Sequence, residues 1–172
     1  TPSATYTTAS SVNEGAATIS GQLTASDADD GASLTYSVAS APAGLTINSA
    51  GAWTFDPTDA EYNHLAVGAS EAVTVNYRVS DGHGGSATNS FTITVTGAND
   101  TPSATYTTAS SVNEGAATIS GTLTSTDVDS TDGATYTLVG SAIAGLTINS
   151  NGNWTFDPTD AEYNHLAVGA SE

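Results

Sequence analysis

The sequence predicts an all-β fold, with Greek-key β-sandwich repeats in tandem. Three observations carry this. Apolar residues alternate with Thr or Ser in short runs, each run is bounded by Gly, Asn, Asp or Pro, and the whole pattern recurs after about 100 residues. A 2-residue period places one set of side chains on a buried face and the other in solvent, as a half-buried strand requires. A repeat of this length is a whole domain rather than one turn of a solenoid.

The expected strands follow in order. The first lies near Ala4–Thr8, followed by "ATISGQLT" (Ala17–Thr24), "SLTYSVA" (Ser33–Ala39), "GLTIN" (Gly44–Asn48) and "AWTFDP" (Ala52–Pro57). "DAEYNHLA" (Asp59–Ala66) reads as a helical turn with Asp59 at its N-cap. The strongest strand signals come last, "AVTVNYRVSD" (Ala72–Asp81) and "SATNSFTITVTG" (Ser86–Gly97). About seven short strands per repeat fit a sandwich. Its expected core is Ile19, Leu34, Trp53, Phe55, Val75, Tyr77, Phe91, Ile93 and Val95.

Thr1–Ser20 is identical to Thr101–Ser120, and Trp53–Glu71 is identical to Trp154–Glu172. Residues 1–100 are therefore expected to form one complete repeat. Residues 101–172 are expected to form a second, truncated repeat lacking the last two strands, because the counterpart of Ala72–Asp100 is missing from it. Such a repeat exposes strand edges and half a core. It is completed by a longer array, by a neighbouring chain, or not at all. The folding unit is also open to permutation, since residues 73–172 make up one full period.

Composition narrows the function. One Arg and 18 acids give a formal charge of −17. Polyanion binding needs Lys and Arg to displace counterions, so neither nucleic acid nor direct membrane insertion is expected, and cations are the natural partners. Cysteine is absent, which excludes disulfides and thiolate metal sites. The absence of Lys excludes a Lys–Asn isopeptide cross-link. No apolar run is long enough to span a bilayer and no signal peptide is visible, which suits a segment from within a longer chain.

The acids gather at strand ends and joints. They are Glu14 in "VNEG", Asp27, Asp29 and Asp30 in "SDADDG", Asp56, Asp59 and Glu61 in "FDPTDAEY", Asp81 in "VSDGHGG" and Asp100 in "GAND". The second copy keeps Glu114, Asp127, Asp129, Asp157, Asp160 and Glu162. Asp and Asn are also good turn formers. As a set, however, they suit Ca2+, which takes six to eight oxygens in tolerant geometry. Pro102, just beyond the Asn99–Asp100 pair, fixes the backbone at the joint.

The succession "VNEG", "ASDADDGASLTYSV", "TDAEY", "VSDGHGG" and "GANDTP" resembles the calcium signatures of cadherin-type domains. The stretch from "GLTINSAGAWTFDP" to "VTGAND" is similar to the VCBS-type repeats of giant bacterial RTX-type surface adhesins. The resemblance implies immunoglobulin-like and cadherin-like sandwiches strung end to end and stiffened by Ca2+. It further implies a ligand set of Glu14, Asp59, Glu61, Asn99, Asp100, Asp127 and Asp129 at the joint, with Glu114 the counterpart of Glu14. Asp81 would serve a preceding joint. The family linker carries a further acid two residues before the Asn, where this chain has Gly97, so one or two ions per joint are implied rather than three. The expected role is a non-catalytic extender of an adhesin or biofilm fibre on the cell surface. Its partners are neighbouring repeats or identical subunits, with any host or matrix ligand bound by other parts of the parent protein.

Other classes are weaker. Paired carboxylates could serve a glycosidase, and His64 or His83 could act as a base or zinc ligand. No Ser-His-Asp pattern accompanies them, and near-identical tandem copies suit length better than one unique pocket. His64 and His165 are expected to cap or pack the helical turn, and His83 to sit in a hairpin loop. A Ca-dependent glycan- or protein-binding module would need exposed aromatics, whereas both Trp residues fall in strand patterns. A fibre subunit completed by strand donation remains an alternative.

Overall fold

The computed structural model describes residues 1–29, 31–129 and 131–172. Asp30, one of the acids singled out above, lies outside them. The chain divides into two compact units, one comprising Thr1–Asp100 with Val128–Thr131, the other Thr101–Asp127 with Asp132–Glu172.

The first unit contains β1 (Ser3–Ala4), β2 (Ser10–Asn13), β3 (Ile19–Gln22), β4 (Ala25–Ser26), β5 (Thr35–Val38), β6 (Leu45–Ile47), β7 (Ala52–Phe55), β8 (Ser70–Ser80) and β9 (Ser86–Thr96). One sheet runs β2-β9-β8-β5 and the other β3-β7-β6, while β1 pairs with β4. Neighbours distant in sequence, such as β2 with β9 and β3 with β7, give the Greek-key connectivity expected from the pattern. β2 runs parallel to β9; among the described residues every other ladder of this unit is antiparallel.

Period 2 holds along β8, where Val73, Val75, Tyr77 and Val79 are buried and Thr74, Asn76 and Arg78 are exposed. Its apolar face meets Phe91, Ile93 and Val95 of β9, and Leu45, Trp53 and Phe55 of the other sheet. Trp53 lies 5.1 Å from Phe91 between ring centroids, and its indole covers Gly21, where any side chain would collide with the ring. Ile19 and Leu34, expected in the core, are only half-buried.

The strand expected near Ala4–Thr8 is instead two, β1 and β2, in different ladders. Tyr6 sits at the break. The buried Tyr77 hydroxyl donates to the Tyr6 carbonyl at 3.0 Å and accepts the Tyr6 N–H at 3.0 Å, replacing the ladder bonds that Tyr6 gives up. The stretch after Asp59 folds as consecutive turns in the first copy and as a 3-10 turn, Ala161–Tyr163, in the second.

The second unit contains β10 (Ser103–Ala104), β11 (Ile119–Thr122), β12 (Ser125–Thr126), β13 (Leu146–Ile148) and β14 (Asn153–Phe156). β10 pairs with β12, and β11-β14-β13 form a sheet matching β3-β7-β6. Even the β6–β7 turn is reproduced. Asn48 Oδ1 accepts from the Ala50 and Ala52 amides at 3.0 Å each, and Asn149 Oδ1 accepts from Asn151 and Asn153 at 3.1 and 3.0 Å. Among the described residues there is no counterpart of the four-stranded sheet. Ser110–Asn113 and Thr135–Leu138 are not strands, although their counterparts are β2 and β5.

Removing the Tyr77 hydroxyl leaves two backbone groups of Tyr6 without a partner. Tyr77→Phe is expected to destabilise the first unit by about 1–3 kcal/mol, and Phe91→Ala by about 3–5 kcal/mol. Denaturant melts with separate probes for Trp53 and Trp154 check both. A loss shared equally by the two tryptophan signals would contradict the assignment of these side chains to the first core.

Candidate metal centre

Most acids at the strand ends hold turns. Asp56 Oδ1 accepts the Thr58 hydroxyl at 2.7 Å and the Thr58 amide at 3.0 Å, and Asp157 does the same with Thr159 at 2.7 and 2.9 Å. These bonds, the hydroxyl first, hold both carboxyls below the usual Asp range. Asp59 Oδ1 accepts the Glu61 amide at 3.1 Å, and Asp160 Oδ1 that of Glu162 at 3.1 Å. Buried Asp81 closes the β8–β9 hairpin, its Oδ1 taking the His83 and Gly85 amides at 2.8 and 2.9 Å. A side chain at position 85 would strike the Asp81 carboxylate, so Gly is required there.

Glu14 is different. It is 7% exposed, follows β2 directly, and its Oε1 accepts the Ala98 amide at 3.0 Å. Its Oε2 is buried with no hydrogen-bond partner. A buried carboxylate oxygen without a donor is costly. One ligand atom each of Glu14, Asp100 and Asp129 lies within 4.8 Å of the other two. Asp129 is 3% exposed, and its Oδ2 accepts the Asp100 amide at 2.8 Å. All three residues belong to the first unit. At an effective dielectric of 20, two unit charges about 5 Å apart repel by about 3 kcal/mol. Oxygens at this spacing fit around one hard cation with ligand bonds of about 2.3–2.6 Å.

Gly97 explains the linker's missing acid. A side chain there would collide with the carbonyl oxygens of Leu65 and Ala66. The Gly97 amide in turn donates to the Ala69 carbonyl at 3.0 Å, which draws the linker onto the turns that follow β7. Sequence reading registered the Gly but had no means of seeing the neighbouring backbone.

The other expected ligands distribute as follows. Asp59 is half-buried and Glu61 exposed, and neither joins the group of three. Asn99 is exposed, its side-chain amide donating to the Asp100 carbonyl. Glu114, with the same flanking sequence as Glu14, is exposed. Asp127 falls in the second unit. At the opposite end of the first unit's hairpin, Asp29 and Asp81 line a small depression with Gly31, Ala32 and His83. The Asp27 side chain is 2% exposed. Its Oδ1 accepts the Asp29 amide at 3.1 Å, while its buried Oδ2 has no hydrogen-bond partner. The Thr1 backbone nitrogen sits 3.2 Å from Asp27 Oδ1 and 3.4 Å from Asp29 Oδ2. The Asp29 amide, foremost, holds the Asp27 carboxyl below its usual range, against desolvation. All three histidines donate Nδ1–H to a backbone carbonyl, His64 to Glu61 at 2.9 Å, His83 to Asp81 at 3.0 Å and His165 to Glu162 at 2.7 Å.

The family model described as "Bacterial cadherin-like domain" matches residues 1–97. Among solved structures, "Protocadherin Gamma B2 extracellular cadherin domains 1-5" is 18% identical with a TM-score of 0.58, over 94% of this chain and 33% of that one. Mouse cadherin-23 EC22-24 is 20% identical with a TM-score of 0.53, over 87% of this chain and 50% of that one. Drosophila N-cadherin EC1-4 is 14% identical with a TM-score of 0.51, over 90% and 39%. These identities show the fold alone, and the chain spans half or less of each structure. A comparison with curated proteins gives no match.

Glu14→Gln keeps an oxygen for the Ala98 amide and removes one charge from the group of three. In chelator this variant is expected to melt higher than the parent, by about 4–8 °C for each kcal/mol of repulsion relieved. A lower melt would mean that the protein already stabilises the carboxylate. The turn acids give a separate expectation. A folded-state pKa below the ordinary Asp value means that the stability from Asp56 is full above that ordinary value and is lost as pH falls through the folded one. Thr58→Val should therefore lower the melting temperature at neutral pH, and the difference should shrink on acidification below about pH 4, read from melts across pH 2–7.

Proposed function

The chain belongs to the bacterial cadherin-like domain family, and from that premise we propose that it is a non-catalytic extracellular extender module whose linker is stiffened by Ca2+. The observation that carries this reading is buried Glu14, one of whose oxygens has no hydrogen-bond partner, grouped with Asp100 and Asp129. These three residues stand far apart in sequence, one after β2, one in the linker and one in the Val128–Thr131 segment. An ion bound by all three ties those segments to one point. Without it the carboxylates repel and the linker is released.

Glu14, Asp100 and Asp129 are the proposed principal ligands. Asn99, Asp59 and Glu61 are at most peripheral, since their hydrogen bonds serve their own turns or the neighbouring residue. Asp27, Asp29 and Asp81 form the proposed set for a joint with a preceding repeat, and Glu114 and Asp127 are their repeat's own members of the same scheme. Residues 1–100 are the proposed first repeat, and residues 101–172 belong to the proposed second. In a bacterial surface adhesin of the VCBS or RTX type, a series of such joints makes a rod that holds a binding tip away from the cell. Trp53 and Trp154 are 2% and 9% exposed, so neither offers a platform for a sugar ring.

The test is thermal melting with and without calcium. Extracellular calcium modules have Kd values of roughly 10⁻⁴–10⁻³ M. With ~5 mM calcium and a Kd of about 0.5 mM, one site adds about 1.4 kcal/mol by mass action, or roughly 6–10 °C. Asp100→Ala with Asp129→Ala should abolish the shift while leaving the chelator melt no lower than that of the parent. An unchanged parent melt with no bound calcium in equilibrium dialysis would overturn the proposal.

A further inference from the structure

The segment ahead of β3 in the first unit keeps step with β9 along that strand's length. Buried Pro2 lies beside Gly85, where an added Cβ would meet the Pro2 Cδ at 3.1 Å. The Asn89 side-chain amide donates to the Ala4 carbonyl at 3.0 Å. The Tyr6 ring meets Phe91 edge-on, with centroids 5.2 Å apart. Ser10–Asn13 then pairs in parallel with Ile93–Thr96, and the Glu14 amide donates to the Thr96 carbonyl at 2.9 Å. The contacts advance in the same direction on both segments, from Pro2 beside Gly85 to Glu14 beside Thr96. From the neighbouring strand, the Tyr77 hydroxyl adds its two bonds to the Tyr6 backbone.

We infer that residues 2–14 and β9 form a shear clamp, a device by which the first unit resists tension drawn along the chain. The reason is directional. Within this unit the chain runs into the clamp at Pro2 and out of it at the end of β9, through Gly97–Asp100 to Thr101. Tension between residues 1 and 101 pulls the first segment one way along its axis and β9 the other. In a parallel pair these opposed pulls make the strands slide past one another. Sliding loads the ladder, the Tyr77 bonds and the Asn89 bond together. An antiparallel terminal pair would present both pulled ends at one edge and open one bond at a time. Tyr6 and Val12 also pack against the core, so sliding draws apolar side chains out of it. On its other side the same segment is fastened to β4, through two antiparallel pairs and the Thr5 amide on the Thr24 carbonyl at 3.1 Å. The clamp lies within the sandwich and needs no cation, so it is separate from any stiffening of the linker.

The experiment holds the 172-residue chain at constant force between thiol handles, in excess chelator so that no cation contributes. The sequence has no Cys, so two introduced thiols are unique. Thr1→Cys with Thr101→Cys loads the clamp in shear. Thr1→Cys with His83→Cys separates two positions at one end of β9 and peels the segment away from Pro2 onward. At one force, the unfolding lifetime in shear is expected to exceed the peeling lifetime by at least about 10-fold, roughly the worth of one further hydrogen bond broken in the rate-limiting step. Tyr77→Phe should shorten the shear lifetime by about 10-fold. Ile47→Ala, on the edge strand β6, is expected to lower the melting temperature but to change the shear lifetime by less than about 2-fold, because its contacts are intact when the clamp parts. Equal lifetimes in the two pulling geometries would overturn the inference. So would an Ile47→Ala loss of shear lifetime as large as that of Tyr77→Phe, which would make both side chains contributors to general stability only.

Discussion

The pairing of β8 with β9 is the constraint on which the rest depends. The two strands, 11 residues each, run in register from Ser70 opposite Thr96 to Ser80 opposite Ser86. They supply half of the first unit's core and both partners for its edge strands. Their far end also sets up chemistry. The chain leaves β9 at Thr96, whose carbonyl accepts the Glu14 amide at 2.9 Å, and the next residues bring the Ala98 amide to Glu14 and carry Asp100 to the group of three. At the other end, the hairpin turn buries Asp81.

Where the hairpin is lacking, the effect is selective. The β11-β14-β13 ladder and the β10–β12 pair survive because their hydrogen bonds are internal to the segment that remains. Trp154 stays buried, in part because its indole still covers Gly121 as Trp53 covers Gly21. Apolar residues that would have faced β8 and β9 instead line a groove.

The strand-end acids divide by what their oxygens do. Asp56, Asp59, Asp81, Asp157 and Asp160 accept amides of the following residues, which is ordinary turn chemistry. Glu14 keeps one oxygen buried and without a donor beside two further carboxylates. Composition and spacing could not make this division, because an Asp in a turn and an Asp aimed at an ion carry the same letters. The expectation that Asp59, Glu61, Asp100 and Asp129 stand beside Glu14 came from resemblance. Only the fold separates Asp100 and Asp129, which group with Glu14, from Asp59 and Glu61, which do not.

The sequence alone determined the all-β class, most strand positions, the tandem repeat and most of the first core, since these follow from a 2-residue period and local turn chemistry. Val75, Tyr77, Phe91, Ile93 and Val95 were legible for that reason. Tertiary structure alone decided the break at Tyr6, set by a hydroxyl 71 residues away, and the bar on a side chain at Gly97. It also decided the fate of identical words. Ser10–Asn13 is a strand and Ser110–Asn113 is not; Glu14 is buried and Glu114 is exposed. The letters and their neighbours in sequence are the same in each pair. What differs is whether β9 and the linker behind it are there to accept the strand's hydrogen bonds and cover the carboxylate, and no local pattern encodes that.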